Sequence, residues 1–267
     1  MSGLVSKICI TFGCITILIG GFQIYDFLKT EQETEATDRK ILETAGIIEK
    51  HEKKENEDEP EKQQDEQNVS YEITREGFDS LKAQYPLTVA YIAYDDGFIA
   101  EPIGKAGDNE YLLRRDLNGN YSEKGTVFMD AGCDSDSQNI TLYGHNVYYD
   151  PSSRFSPLSQ LMTQNGYDIH NTFRIWYGDR VATYAISYVV RFSRNQESIS
   201  YSANEYTDET DYQWKINWLE QRQMIIPVSE ARHISYTDRT VTLQTCVKWH
   251  PDQLELVVAR EILSELY

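Results

Sequence analysis

A mainly β domain with peripheral helices, a β-barrel, is the fold class this sequence predicts, and three observations predict it. The 267 residues include 19 tyrosines alongside frequent Val, Ile and Thr, the side chains that suit a pleated, half-buried surface. Short apolar runs alternate with Gly, Asp and Asn clusters from Thr88 onward, which reads as strands joined by turns. The run Thr240 to Cys246 sets Val241 and Leu243 on one parity and Thr242, Gln244 and Cys246 on the other. As a strand it buries the first pair and carries a thiol to its last position on the opposite face.

Length allows one sizeable core plus appendages. Residues 1–28 hold the apolar run Ile8 to Ile24, close to the ~20 residues that span a bilayer, with no small-residue cleavage site behind it. The expectation is an uncleaved single-pass anchor in the cell membrane. Lys7 and the amino terminus on one side and Asp26, Lys29, Glu31 and Glu33 on the other put the N-terminus in the cytoplasm and the folded body outside. Residues 29–68 turn to Glu, Lys, Gln and Asp, with Ile41, Leu42, Ile47 and Ile48 able to form a short amphipathic helix and His51 to Gln67 too polar to bury anything, so a charged linker is expected. Residues 69–267 are the folded domain. The formal charge of −18 excludes nucleic acid as a partner, since a phosphate backbone is repelled.

Thr74 suits the cap of a helix carrying Phe78, Leu81 and Tyr85 and ended by Pro86, packed outside the barrel. Thr88 to Tyr94 and Ile99 to Ile103 form a hairpin around Asp95-Asp96-Gly97. Asp116 to Asn120 resembles the start of a calcium loop, but Tyr121 and Val127 stand where that loop needs Gly and Glu, so it reads as a turn. Thr126 to Met129 and Ile140 to Tyr143 continue the sheet. A short helix through Phe155, Leu158, Leu161 and Met162 ends around Asn165-Gly166. Phe173 to Tyr177 and Val181 to Phe192 make a second hairpin at Gly178-Asp179, and the long connection from Arg194 to Arg239 holds a helix over Tyr212 to Arg222.

Chemistry-bearing side chains gather at strand ends. Cys246 closes one strand, the run ending in Tyr143-Gly144-His145-Asn146 follows another, and Arg260 shares its parity with Leu254, Leu256 and Val258 on the last. An ordinary cysteine is mostly thiol at neutral pH, so a nucleophile needs a base or a positive neighbour. His145 fits the base that later protonates a leaving amine, and Arg260, which stays protonated, fits the donor that holds a developing oxyanion. Each also has a plain structural reading: a small buried hydrophobe, a satisfied turn and a surface charge. Of the four cysteines, Cys9 and Cys14 lie in the apolar segment. A bridge from Cys133 to Cys246 would block the nucleophile, and Cys133 reads as a free thiol in the polar loop Asp130 to Asn139. No Cys-x-x-Cys or His-x-x-x-His spacing exists, so neither a metal nor another cofactor is expected.

Leu-x-Thr-Cys ending one strand, Arg on the next and Tyr-Gly-His-Asn upstream resemble the sortases, membrane-anchored cysteine transpeptidases of Gram-positive bacteria. Gly77-Phe78-Asp79-Ser80-Leu81-Lys82, Gly107 to Leu113 and Gly125 to Asp130 occur in the order seen in class B sortases, and the likeness runs from Phe78 to the C-terminus. The resemblance implies an eight-stranded barrel and a reaction in which Cys246 attacks a carbonyl in the C-terminal sorting motif of a secreted protein, and an amine resolves the thioacyl enzyme. That amine belongs to a lipid-linked peptidoglycan precursor or, in pilus assembly, to a pilin lysine. The resemblance also places Asn109, Leu113, Tyr143, Gln244 and Thr245 at the substrate groove, with the helix-bearing connection before the cysteine strand as one wall. Two departures stand out. The link from Cys246 to Arg260 is long, with Trp249, His250 and Pro251 inside it, and Val247 follows the cysteine where an acidic residue is common. A wall-degrading cysteine peptidase and a tethered binding protein with an incidental cysteine are the competing readings.

Overall fold

The computed structural model describes residues 2–47, 71–195, 206 and 208–266, with the side chains of residues 15 onward apart from Pro251. Most of the expected linker, His51 to Gln67, and the expected domain start at Val69 lie outside these residues. Eight strands close a barrel in the order β1-β2-β3-β4-β7-β8-β6-β5, the architecture expected of the sequence. They are β1 (Thr88–Ala93), β2 (Ala100–Gly104), β3 (Val127–Met129), β4 (Asn139–Tyr143), β5 (Thr172–Trp176), β6 (Arg180–Ser193), β7 (Thr240–Val247) and β8 (His250–Leu266). Neighbours run antiparallel except at two seams, β2 with β3 and β4 with β7, which are parallel.

Alternation along the strands builds the core. Val241 and Leu243 of β7 face the barrel interior with Val257 and Ala259 of β8, all fully buried. The opposite face of the same strands is covered too. Leu254, Leu256 and Val258 pack under α4 (Glu209–Glu220), which contributes Tyr212, Ile216 and Leu219. Asp208 caps α4 by accepting from the amides of Thr210 and Asp211. A third cluster sits outside β1 and β5, where α2 (Arg75–Gln84), capped by Thr74, buries Phe78 and Leu81 against Tyr91 and Trp176.

Two elements differ from expectation. The helix after the Gly-His-Asn segment is a 3-10 helix, Ser156–Met162, and it ends earlier than Gly166 because Thr163 caps a separate α3 (Gln164–Ile169). Gly166 is inside that second helix, where an added Cβ would lie 2.0 Å from the Gln160 carbonyl oxygen. Glycine serves close packing there, not termination.

The N-terminal helix corrects the larger expectation. No helix among the described residues is long and apolar enough to cross a membrane, so the single-pass anchor, its sidedness and the membrane localisation are not met. Thr11, Gly13, Thr16, Gly20, Gly21 and Gln23 dilute the apolar run, and Lys7 and Asp26 bracket it closely. Instead α1 (Ser2–Thr44) continues unbroken through the start of the expected linker. Its C-terminal part docks on the barrel: Ile41 and Ala45 join the α2 cluster, Glu31 pairs with Lys124, and Asp38 shares buried Arg154 with Glu101.

Lys215 on α4 is the odd member of its cluster. The residue is 3% exposed, and its ammonium has no hydrogen-bond partner among the described residues and lies 5.3 Å from the Tyr206 ring centre. Desolvation pushes it down to about 7. The unfolded chain keeps this proton up to about 10.4, so between those values it binds more protons than the folded one and stability rises with pH. Lys215→Met is expected to stabilise the fold below pH 7 by on the order of a few kcal/mol. Urea unfolding across pH should show that gain shrinking towards pH 10.

Candidate active site

The parallel seam sets the site. Register along it runs Asn139 with Thr240 through Tyr143 with Gln244, and the Gly144 amide donates to the Gln244 carbonyl at 3.1 Å. The chain leaving β4 is thus still bonded to β7 two residues before Cys246. Gly144 is required there, since an added Cβ would stand 2.7 Å from the Phe155 ring. His145 comes next, and it lines one cleft of about 440 Å³ together with Cys246, Asn109, Leu113, Tyr143, Gln244 and Thr245. Every expected groove residue is in it, as are two of the three expected catalytic side chains.

Hydrogen bonds fix the imidazole. His145 Nε2 lies 2.8 Å from the Leu113 carbonyl oxygen, which can only accept, so Nε2 carries the hydrogen and Nδ1 is the basic nitrogen. Burial pushes the imidazole below its usual range; the Leu113 bond opposes this and the Arg114 charge adds to it. The following residue is anchored more deeply. Asn146 donates to Ser159 Oγ at 3.0 Å, and Ser159 donates to Glu255 Oε2 at 2.8 Å. Glu255 is fully buried and its other oxygen accepts from Arg191 Nε at 3.1 Å.

On the opposite wall, one carboxylate oxygen, Asp130 Oδ2, accepts from both Asn109 Nδ2 and the Tyr143 hydroxyl at 2.8 Å. Asn109 also accepts from the Ala131 amide. Leu113 belongs to the 3-10 helix Tyr111–Arg114 and offers both a carbonyl to His145 and a side chain to the cleft. Thr245 is 2% exposed and faces inward, so its backbone borders the cleft more than its hydroxyl does. Half-buried Cys246 is a free thiol, and its Sγ accepts from Arg194 Nη2 at 3.6 Å.

No family model matches the chain. Sortase B of Staphylococcus aureus is 23% identical over 189 residues, covering 70% of this chain and 74% of that protein. Among solved structures, sortase B from Bacillus anthracis is similar with a TM-score of 0.66 at 21% identity, over 88% of this chain and 99% of that one. Clostridium perfringens sortase B is similar with a TM-score of 0.62 at 22% identity, over 70% and 100%. The chain has the class B sortase fold.

Within this sortase fold, Arg260 is not at the site. It pairs across β7 with Thr240, whereas Cys246 pairs with Leu254. Six strand positions separate the two, about 20 Å at ~3.3 Å per residue. The guanidinium is held instead by the Glu230 carbonyl and by Asp238 at 3.6 Å. Arg260 shares the face of Leu254 and Val258, as its parity implies, but at the other end of the strand. Cys133 lies in the loop after β3 and outside any disulfide, as expected, but its thiol packs into the barrel core at 1% exposure, and burial pushes it up to about 11.

Arg194 is the site residue that the sequence did not single out. It follows β6, whose C-terminal end lies at the same barrel end as that of β7 because each runs antiparallel to β8 between them. The His145 arrangement is checked by NMR titration: its ring should titrate below 6.5 and show the Nε2-protonated neutral form at pH 7. A ring still half protonated at pH 7 would contradict the dominance of burial over the Leu113 bond.

Proposed function

We propose that this chain is a sortase-type cysteine transpeptidase that takes a peptide of a secreted protein as acyl donor and an amine as acceptor. The observation that carries the reading is a strand-end thiol facing a cleft that also holds a neutral, fixed imidazole, brought there by the β4–β7 seam. As Cys246 Sγ attacks the scissile carbonyl, its proton passes to His145 Nδ1. Collapse of the tetrahedral adduct expels the amine of the C-terminal fragment, which takes that proton, and leaves a thioester on Cys246. An incoming amine gives a proton to Nδ1, forms the new amide and releases the thiol.

Solved structures similar to this chain include a Staphylococcus aureus sortase B–substrate complex and a sortase B complexed with Gly3. Transferred here, they support a sorting-motif peptide as donor and a glycine-type amine, such as one on a peptidoglycan precursor, as acceptor. Asn109 and Tyr143, tied together by Asp130, form the wall against which the peptide lies.

The test is intact-mass analysis of the full chain with pools of sorting-motif peptides, with and without triglycine. The wild type should gain a peptide-sized adduct that triglycine clears to a ligated product, and Cys246→Ala should gain none. His145→Ala should slow adduct formation on the order of 10²- to 10⁴-fold. An adduct cleared by water alone, with triglycine without effect, would make the protein a cysteine peptidase; ligation only to a lysine-bearing pilin peptide would move the acceptor to pilus assembly.

A further inference from the structure

We propose that Arg194, at the end of β6, is the oxyanion donor of this site, in the role the sequence assigned to Arg260. The inference rests on the transpeptidase reading and adds a catalytic residue to it. Three observations converge on Arg194. Its Nη2 is 3.6 Å from the Cys246 sulfur, and an oxygen developing on a carbon bonded to that sulfur falls within about one hydrogen-bond length of a donor so placed. Among the described residues lining the cleft, it is the only Arg or Lys. The strand beside Cys246 contributes no cation of its own, because the residue directly across is Leu254 and Arg260 is tied up at the far end.

The reach is consistent with the sheet. With β8 between β6 and β7, the two outer strands are about 10 Å apart, a span that an arginine side chain crosses and a shorter one does not. The starting point of that side chain is fixed. Ser193 pairs with Gln253, and the Arg194 amide donates to the Asp252 carbonyl at 2.9 Å. The guanidinium therefore approaches over the first residues of β8. It stays charged at every pH of interest and presents several N–H groups in one plane, which suits an oxygen that gains charge only in the transition state. In the acylation step the carbonyl π pair moves onto that oxygen as the Sγ–C bond forms. It returns when the C–N bond breaks, so Arg194 gives and takes no proton.

Two small probes separate this role from a general effect on the thiol. p-Nitrophenyl acetate acylates a cysteine through a tetrahedral oxyanion, whereas iodoacetamide alkylates it by direct displacement with none. For the full-length chain, Arg194→Ala is expected to slow acetylation of Cys246 on the order of 100-fold while alkylation changes far less. Guanidinium ion added at tens of millimolar should restore part of the acetylation rate, and Arg194→Lys should fall between wild type and Arg194→Ala. Arg260→Ala, with Arg260→Lys as a milder partner should the first fail to fold, is expected to match wild type in both reactions. Unchanged acetylation in Arg194→Ala, an equal loss in both reactions, or a comparable loss on changing Arg260 would overturn the assignment. Since neither probe is a sorting peptide, absence of transpeptidation would count against the broader reading and leave this comparison readable.

Discussion

The parallel pairing of β4 with β7 is the constraint on which the site depends. Parallel neighbours share a direction, so the ends of both strands emerge at the same rim of the barrel, and the residues just beyond them meet. Here His145, two residues past β4, and Cys246, next to last in β7, line one cleft at that rim. The seam carries buried polar bonds of its own: Asn139 Oδ1 accepts from the hydroxyls of Thr240 and Thr242, which locks the register that a slip of one residue would invert. Such a slip would turn Cys246 into the barrel and Thr245 out.

Around that seam, the barrel wall is buried on both faces where β6, β8 and β7 lie under α4. Burial on both faces is why a carboxylate can be enclosed there with partners on each oxygen. Glu255 links Arg191 of β6 to Ser159 and thence to Asn146, next to the histidine. An enclosed, satisfied network of this kind rigidifies what it touches, whereas losing one partner strands a charge. The loop carrying His145 is therefore fixed from two sides: by β7 through Gly144 and by the interior through Asn146.

The sequence disclosed the parts of this arrangement that are local. The parity of Val241 and Leu243 against Cys246, the Thr74 cap, the two hairpins and the α4 segment all follow from spacing and capping within a few residues. Arg260 shows where locality fails. Parity along β8 placed it on the correct face, but its position depends on where the β7–β8 turn falls. With Cys246 opposite Leu254, each step beyond Leu254 moves away from the thiol. Arg194 was illegible for a different reason, since its closeness to Cys246 requires the order β7-β8-β6, which no single stretch of sequence encodes. The apolar N-terminal run was misread because hydrophobicity alone does not distinguish a membrane span from a helix that continues into a docked, salt-bridged end at Asp38 and Ile41.

The electrostatics of the cleft divide two tasks that one group cannot perform well together. In the proposed reaction the base must be neutral beforehand, and burial biases His145 to that form against the opposing Leu113 bond. A neutral imidazole contributes no standing positive charge, yet acyl transfer builds negative charge on the carbonyl oxygen. In the proposed mechanism, the burial that suits His145 to take a proton therefore leaves the oxyanion to a separate, permanent cation, and a guanidinium is the side chain that keeps its charge under desolvation. Elsewhere in this chain, whose formal charge is −18, Arg260 pairs with Asp238 and Arg191 with Glu255. The backbone bond at the end of β6 places Arg194 so that one of its guanidinium nitrogens donates to the Cys246 sulfur. The site draws its thiol, imidazole and guanidinium from three strands whose C-terminal ends share one rim, and the closure of the barrel is what brings them together.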